Sequence, residues 1–358
     1  MSTSPTRVGI VGGNVEVGWA AASHIPALKA LDGYLVSAVC TTRKESADAA
    51  AGALNAQGFL DAGELARSSQ VDLVAVSVKV PDHFAAVMPA LEAGKPVYCE
   101  WPLGRTTEEA VAMADLARAK GLRTVVGLQA RAALELIYVK GLLAEGYVGE
   151  VTSVAFLGAY PFWGEVLTLP HQADESQGIN LLTIPGGHTL DALDFILGDE
   201  LAFVQAVMES KRAQARVRAT GELVSFTAPD HLAVIGAYRK GAVFSANFLG
   251  GAVCPATSRV EIDGSLGRII LEMDGLIENA PIRIRGWRAE AGAWEVLTPD
   301  IAPPTAGLPA GSAQNVGYMY ARLAAGDPSL PDFGRAVRVH QVLDAIRAAA
   351  KGGGRVSI

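Results

Sequence analysis

Short apolar runs alternate with helix-length stretches over the first third of this 358-residue chain, and no other feature limits its fold as much. Val8 to Val11, Leu35 to Cys40, Val71 to Val78, Pro96 to Cys99 and Thr124 to Leu128 read as strands. The run Val71-Asp-Leu-Val-Ala-Val-Ser-Val is nearly continuous and rich in β-branched residues. That composition suits a parallel strand covered on both faces. Helical stretches fall between the strands, at about Val17 to Leu31, Ala47 to Leu54, Glu64 to Ser68 and Asp82 to Ala93. Thr106-x-x-Glu109 is a capping-box signature, and the helix it opens is expected to end near Gly121. The alternation predicts a doubly wound parallel sheet, as an N-terminal α/β domain over residues 5–130.

The rhythm changes after about residue 128. Ile137 to Ala144 reads as a helix. Val151 to Leu157, Leu201 to Met208, His231 to Tyr238, Ala242 to Phe248, Ser258 to Asp263 and Arg268 to Glu272 then follow as strands with few helices between. Such a succession predicts an α+β domain over residues 131–358 with a large, mostly antiparallel sheet. Helices are expected at about Gly187 to Leu197, Ala313 to Ala325 and Phe333 to Ala350, and the last is expected to pack back on the first domain.

Composition removes several function classes. The net charge of −7 offers no basic stripe for a nucleic acid. Lys211, Arg212, Arg216 and Arg218 form one basic cluster, expected in a solvated loop or edge strand. Three scattered cysteines without a CxxC imply no disulfide framework and a reducing compartment. No apolar stretch approaches the ~20 residues of a membrane span, so a cytoplasmic protein with no membrane partner is expected. The six histidines show no metal-ligand spacing, and no GxSxG elbow is present.

The first strand meets Gly12-Gly13-Asn14 before a helix. A tight glycine turn there lets backbone approach a pyrophosphate, and the helix N-terminus adds N–H groups and partial positive charge. The pattern departs from GxGxxG: Asn14 replaces the second glycine, and the last falls one place late, at Gly18. An ordinary glycine turn reads equally well from these residues. The second strand ends Cys40-Thr41-Thr42-Arg43 without a carboxylate. Hydroxyls with Arg43 suit an adenosine 2′-phosphate, so NADP is favoured over NAD; a polar loop without a ligand is the alternative.

Ser77-Val78-Lys79-Val80-Pro81-Asp82-His83 and Tyr98-Cys99-Glu100-Trp101-Pro102 lie at strand C-termini, where open α/β sheets bind ligands. Together with the first turn, Gln129-Ala130-Arg131 and Gly186-Gly187-His188-Thr189-Leu190-Asp191, they resemble the Gfo/Idh/MocA family of nicotinamide-dependent sugar oxidoreductases. The resemblance implies a Rossmann domain followed by a substrate domain. Within the family, Trp19 with His24, Val76 to Pro81, Glu100-Trp101, Gly187-His188-Thr189 and Pro229-Asp230-His231-Leu232 are most similar to the galactose-regulon repressor subgroup, which binds dinucleotide but acts in transcriptional control.

The resemblance implies a cofactor site of Gly12, Gly13, Asn14, Val15, Trp19, Thr41, Thr42, Arg43, Ser77, Val78, Lys79, His83, Glu100, Trp101 and Gln129. It implies a substrate side of Trp101, Arg131, Trp163, His188 and Asp191, with His188 and Lys79 as the catalytic pair. It also implies a cis Trp101–Pro102 peptide and a homodimer or tetramer built by sheet pairing. Two departures matter. The family lysine that follows the glutamate is Trp101 here, and the aspartate four residues before the histidine is Ile184. Two readings follow. One is an NAD(P)-dependent oxidoreductase acting on a sugar, polyol or related carbonyl compound. The other is a dinucleotide-binding regulator or sensor without redox turnover.

From spacing alone, His188 and Asp191 share one helix face, and a histidine satisfied by local hydrogen bonds is the simpler reading. Lys79 reads equally as a solvated strand-end lysine, and Trp163 as a core aromatic.

Overall fold

The structure is a computed structural model and describes residues 4–304, 307–308 and 311–358. The chain divides into two compact units, residues 1–132 with 303–338, and residues 133–302 with 339–358.

The first unit holds six strands: β1 (Thr6–Val11), β2 (Tyr34–Cys40), β3 (Gln57–Phe59), β4 (Leu73–Val76), β5 (Val97–Glu100) and β6 (Thr124–Gly127). All pair in parallel, in the order β3-β2-β1-β4-β5-β6. Val74, Ala75 and Val76 are fully buried, as the two-sided cover of a parallel strand requires. The order reverses between β1 and β4, so the loops after β1, β2, β4 and β5 gather at the ligand-binding edge of such a sheet. β3 was not predicted. It is three residues long, contains Gly58, and alternates with nothing.

The first crossover differs from expectation. One helix over Val17 to Leu31 is predicted, but two short pieces form, Trp19–Ala22 and His24–Lys29. Pro26 has no N–H to give the carbonyl of Ala22, and its ring would crowd that oxygen. The chain breaks at Ser23, whose φ is −133° and ψ −71°. Helix Ser312–Ala324, from the unit's second segment, packs against His24–Lys29. The Arg123 guanidinium fastens it by donating to the carbonyls of Leu323 (3.0 Å) and Asp327 (3.2 Å).

The second unit carries strands β7 (Val151–Tyr160), β8 (Val166–Leu167), β9 (Leu201–Glu209), β10 (Gln214–Val217), β11 (Leu223–Ser225), β12 (His231–Tyr238), β13 (Val243–Gly250), β14 (Thr257–Gly264), β15 (Gly267–Met273), β16 (Ile282–Arg288), β17 (Trp294–Leu297) and β18 (Val356–Ser357). Nine of them form one sheet, in the order β17-β16-β15-β14-β7-β13-β12-β9-β18. Only the β7–β13 pair in it is parallel. Alternation sorts its two faces: Val154, Phe156, Val234, Phe244 and Ile262 are buried, whereas Leu157, Val207, Ile235, Val243 and Leu249 are exposed. No helix among the described residues is long and apolar enough to cross a membrane.

The basic cluster is not a simple solvated edge. β10, which includes Arg216, is the central strand of a small sheet ordered β11-β10-β8. Arg212 pairs with a fully buried carboxylate, that of Asp230.

The helix expected over Gly187 to Leu197 forms with those bounds, and an unexpected π-turn over Leu182–Gly186 leads into it. Asn180 Oδ1 accepts the N–H groups of Leu182 and Thr183 at 3.0 Å each, the bonds of an N-cap. Pro185 cannot give an N–H to the carbonyl of Leu181. Gly186 donates to it instead at 3.1 Å, which widens residues Leu182–Gly186 into a π-turn. Helix Gly187–Leu197 continues from there, with Gly187 to Ile196 all buried.

Candidate functional site

In the first unit the turn after β1 is built for close backbone approach. Gly12 has φ +86°, and a Cβ there would lie 2.4 Å from the carbonyl oxygen of Ser77. No other residue fits. Gly13 is nearly as tight, 3.0 Å from the Ile10 carbonyl by the same measure. Asn14 does what a second glycine does not: its Oδ1 accepts the N–H groups of Glu16 (2.8 Å) and Val17 (3.1 Å). Val15 sits inside that loop. Gly18, at φ +93°, releases the chain into the Trp19–Ala22 helix.

The loop after β2 keeps its hydroxyls local. Thr41 Oγ1 donates to the Arg43 carbonyl at 3.0 Å and lies 2.8 Å from Ser46 Oγ. Thr42 and Arg43 are exposed, and Arg43 is the N-cap of helix Lys44–Leu54. After β4, Ser77 and Val78 are half-buried, and Lys79 is exposed as the N-cap of helix Val80–Glu92. His83 is buried, with Nδ1 2.8 Å from the Pro102 carbonyl and Nε2 3.2 Å from that of Val78. Burial holds its pKa below the ordinary histidine value. Its ring therefore staples the β4 loop to the loop after β5, where Trp101–Pro102 is cis.

Glu100 ends β5 almost wholly buried, and Gly127 makes room for it. A Cβ on Gly127 would fall 2.5 Å from Glu100 Oε2. His24 Nε2 lies 2.8 Å from Glu100 Oε1, and His24 Nδ1 lies 2.8 Å from the Tyr320 hydroxyl oxygen. Burial raises the Tyr320 pKa well above its usual value, so the hydroxyl keeps its proton. Sequence reasoning left Tyr320 out of this group, because it arrives from nearly 300 residues downstream.

A dinucleotide fits this edge on two grounds. The Gly12 turn admits backbone and nothing larger. Trp19 Nε1, Ser77 Oγ and Gln129 Oε1 are buried without a protein partner, although buried polar atoms are rarely left so. Arg131 is half-buried in the short helix Gln129–Ala132, and its carbonyl accepts from Arg322 at 2.9 Å.

Trp163, His188 and Asp191 belong to the second unit. Trp163 is 4% exposed and has φ +54°, a rare conformation for a bulky residue. Its carbonyl accepts from Arg212 Nη1 at 3.3 Å, and the same nitrogen is 2.7 Å from Asp230 Oδ2. Asp230 is fully buried and also accepts the Lys211 N–H (3.0 Å) and the His231 ring. Gly164 and Gly251 allow the chains around Trp163 to touch, since a Cβ on Gly164 would lie 2.6 Å from Gly251 Cα. The Trp163 indole N–H has no protein acceptor. Strain of this kind costs about 1–3 kcal/mol and persists where surroundings over-determine it, often at ligand sites.

His188 and Asp191 share the buried helix Gly187–Leu197. Burial pushes the His188 pKa down to about 4, against a smaller upward pull from the Asp191 carboxylate. The ring is neutral at neutral pH, and its Nδ1 has no protein partner.

Residues 6–128 match the family described as "Oxidoreductase family, NAD-binding Rossmann fold", and residues 135–273 match "Gal80p, C-terminal domain". The galactose/lactose metabolism regulatory protein GAL80 of Saccharomyces cerevisiae is 28% identical over 313 residues, covering 80% of this chain and 72% of that protein. The dehydrogenase aclE of Aspergillus oryzae is 37% identical over 170 residues, 46% of each. This chain thus matches about half the length of that dehydrogenase. Levoglucosan dehydrogenase, solved in complex with NADH and levoglucosan, shares the fold with a TM-score of 0.84 at 20% identity, over 99% of this chain and 100% of that one.

Proposed function

Because the chain belongs to the Gfo/Idh/MocA family of oxidoreductases, with a C-terminal domain of the Gal80p type, we propose that it is an NAD(P)-dependent oxidoreductase of a sugar, polyol or related carbonyl compound. A bound nicotinamide dinucleotide supplies the hydride chemistry. In this reading Gly12, Gly13, Asn14 and Val15 hold its pyrophosphate, and Thr41, Thr42 and Arg43 take the adenosine ribose, with NADP favoured over NAD. Ser77, Val78, Lys79, Glu100, Trp101, Gln129 and Trp19 complete the pocket, and His83 shapes it. Trp163, Arg131 and Asp191 serve the substrate, and Lys79 supplies the cation that the family lysine would.

The observation that carries the redox reading is His188. Its ring is buried, neutral and has an unfilled nitrogen, so it can accept the proton of a substrate hydroxyl and return it. The test is the purified protein with NAD or NADP and a panel of sugars and polyols, followed at the absorbance of reduced nicotinamide. Turnover with any of them supports the reading. Cofactor binding without turnover favours the second one, a dinucleotide-binding regulator. Trp101, 5% exposed where an ammonium would stand, and Ile184 in place of the aspartate are what favour that alternative. Either way the exposed apolar face of the nine-stranded sheet supports self-association into a dimer or tetramer.

A further inference from the structure

Three distant segments of the first unit meet at a buried histidine. His24 comes from the broken first crossover, Glu100 from the end of β5, and Tyr320 from helix Ser312–Ala324, 296 residues beyond His24. His24 and Tyr320 are fully buried, and Glu100 is 8% exposed. Both ring nitrogens of His24 are engaged, Nε2 by the Glu100 carboxylate and Nδ1 by the Tyr320 hydroxyl, each at 2.8 Å. Two tyrosine rings box the imidazole edge-on, with centroids 5.1 Å away for Tyr98 and 5.7 Å for Tyr320.

Packing alone does not call for these groups. A carboxylate is costly to bury, and an apolar residue is the ordinary choice on a parallel strand covered on both faces. Glu100 instead stands opposite Gly127 in the β5–β6 register, and its Oε2 fills the space that a Gly127 side chain would need. β6 ends at Gly127, and the chain passes at once to Gln129, whose Oε1 is buried without a protein partner. The carboxylate thus lies at the strand ends where a parallel sheet binds its ligand, and His24 Nε2 holds it there. His24 relies on Tyr320 in turn, because a buried ring nitrogen that loses its partner is left unsatisfied. The helix that carries Tyr320 is itself tied down by the Tyr34 hydroxyl, which donates to the Tyr320 carbonyl at 2.9 Å.

We propose that Tyr320 and His24 are positioning residues of the dinucleotide site: Tyr320 sets the His24 ring, and the ring sets the Glu100 carboxylate. Neither touches the cofactor. The inference rests on the reading of this edge as a dinucleotide site, and it makes helix Ser312–Ala324 a working part of that site.

The experiment titrates NADH and NADPH into the full chain as wild type, Tyr320→Phe, Tyr34→Phe, His24→Leu and His24→Gln, and records the thermal unfolding of each. Tyr320→Phe keeps the ring and removes the hydroxyl; it should weaken binding of both cofactors about fivefold or more, the lower end of a coupling between linked sites. Tyr34→Phe takes a hydrogen bond from the same helix without touching His24, so it should lower the unfolding temperature and leave affinity unchanged. His24→Leu should weaken binding about tenfold or more, and His24→Gln, which again offers a donor and an acceptor, should recover most of that loss. Wild-type affinity in Tyr320→Phe and His24→Leu, whatever their unfolding temperatures, would make the cluster structural only; it overturns the inference and leaves the dinucleotide reading standing. Equal weakening by Tyr34→Phe and Tyr320→Phe also overturns it, because the cause is then a loosened helix. A folded wild type that binds neither cofactor overturns the inference and the dinucleotide reading together.

Discussion

Replacing Asp230 tests whether the buried ion pair holds Trp163 in its unusual conformation. Asp230 is fully buried, and Arg212 is 21% exposed at 2.7 Å. Asp230→Ala leaves a guanidinium, a backbone N–H and the His231 ring without their acceptor. Breaking a buried pair by removing one partner costs about 3–5 kcal/mol. For a unit of this size that is a fall in melting temperature of about 6–20 °C. Arg212→Met should cost less, because Asp230 keeps its bonds to the Lys211 N–H and to His231. The double variant should be milder than the sum of the two by about 1–3 kcal/mol, since the groups share one network. Each single variant should also change the near-ultraviolet circular dichroism of tryptophan, and Trp163→Phe should abolish that change. The assay is thermal and urea unfolding with both spectral probes. A cost below about 1 kcal/mol for Asp230→Ala, or strict additivity, would mean that the ion pair does not hold Trp163 in place.

Other outcomes follow from the same structure. His188 has its folded pKa lowered to about 4, so the unfolded chain binds the extra proton first as pH falls. Its contribution, of the order of 3 kcal/mol, is present above pH ~6.5 and lost on descent toward pH ~4; His188→Gln should flatten that slope in urea titrations. Glu278 is pushed up to about 8 by burial, so it weakens the fold as pH rises from ~4.5 through that value; Glu278→Gln should raise the unfolding temperature at pH 9 and leave it unchanged at pH 4. If turnover is found, His188→Ala should lower it by about 10²–10⁴ with little change in cofactor affinity, measured by steady-state kinetics and titration. Ile235→Lys places a charge on the exposed sheet face and should shift light scattering toward the monomer; an unchanged mass would place self-association elsewhere.

The parallel sheet was legible because Val71 to Val78 can hardly be anything but a covered strand. The antiparallel sheet was legible from a succession of strand-like runs with few helices between, among them His231 to Tyr238, whose bounds match. What escaped was local. Helix Gly187–Leu197 was expected with its bounds, but the π-turn Leu182–Gly186 that leads into it was not. The cue that was available was an asparagine three residues before a threonine at the head of an apolar run. Arg212 reads as one of four solvated cations, because its buried partner lies 18 residues on, across the two strands β10 and β11. The positive φ of Trp163 has no sequence signal, since Gly164 beside it would have been the ordinary choice. His24 pairs with Glu100 and Tyr320 through the fold, and no spacing in the chain points to that.

Whether a dinucleotide is held over the Gly12 turn is tested by calorimetric titration of NADH and NADPH into wild type, Gly12→Ala and Arg43→Ala. A Cβ at Gly12 must displace the Ser77 carbonyl or the turn itself. Wild type should bind both cofactors saturably, NADPH at least as tightly as NADH. Gly12→Ala should lose binding of both, and Arg43→Ala should lose the preference for NADPH alone. Undiminished binding by Gly12→Ala, or no binding of either cofactor by a folded wild type, would mean that no dinucleotide is held there.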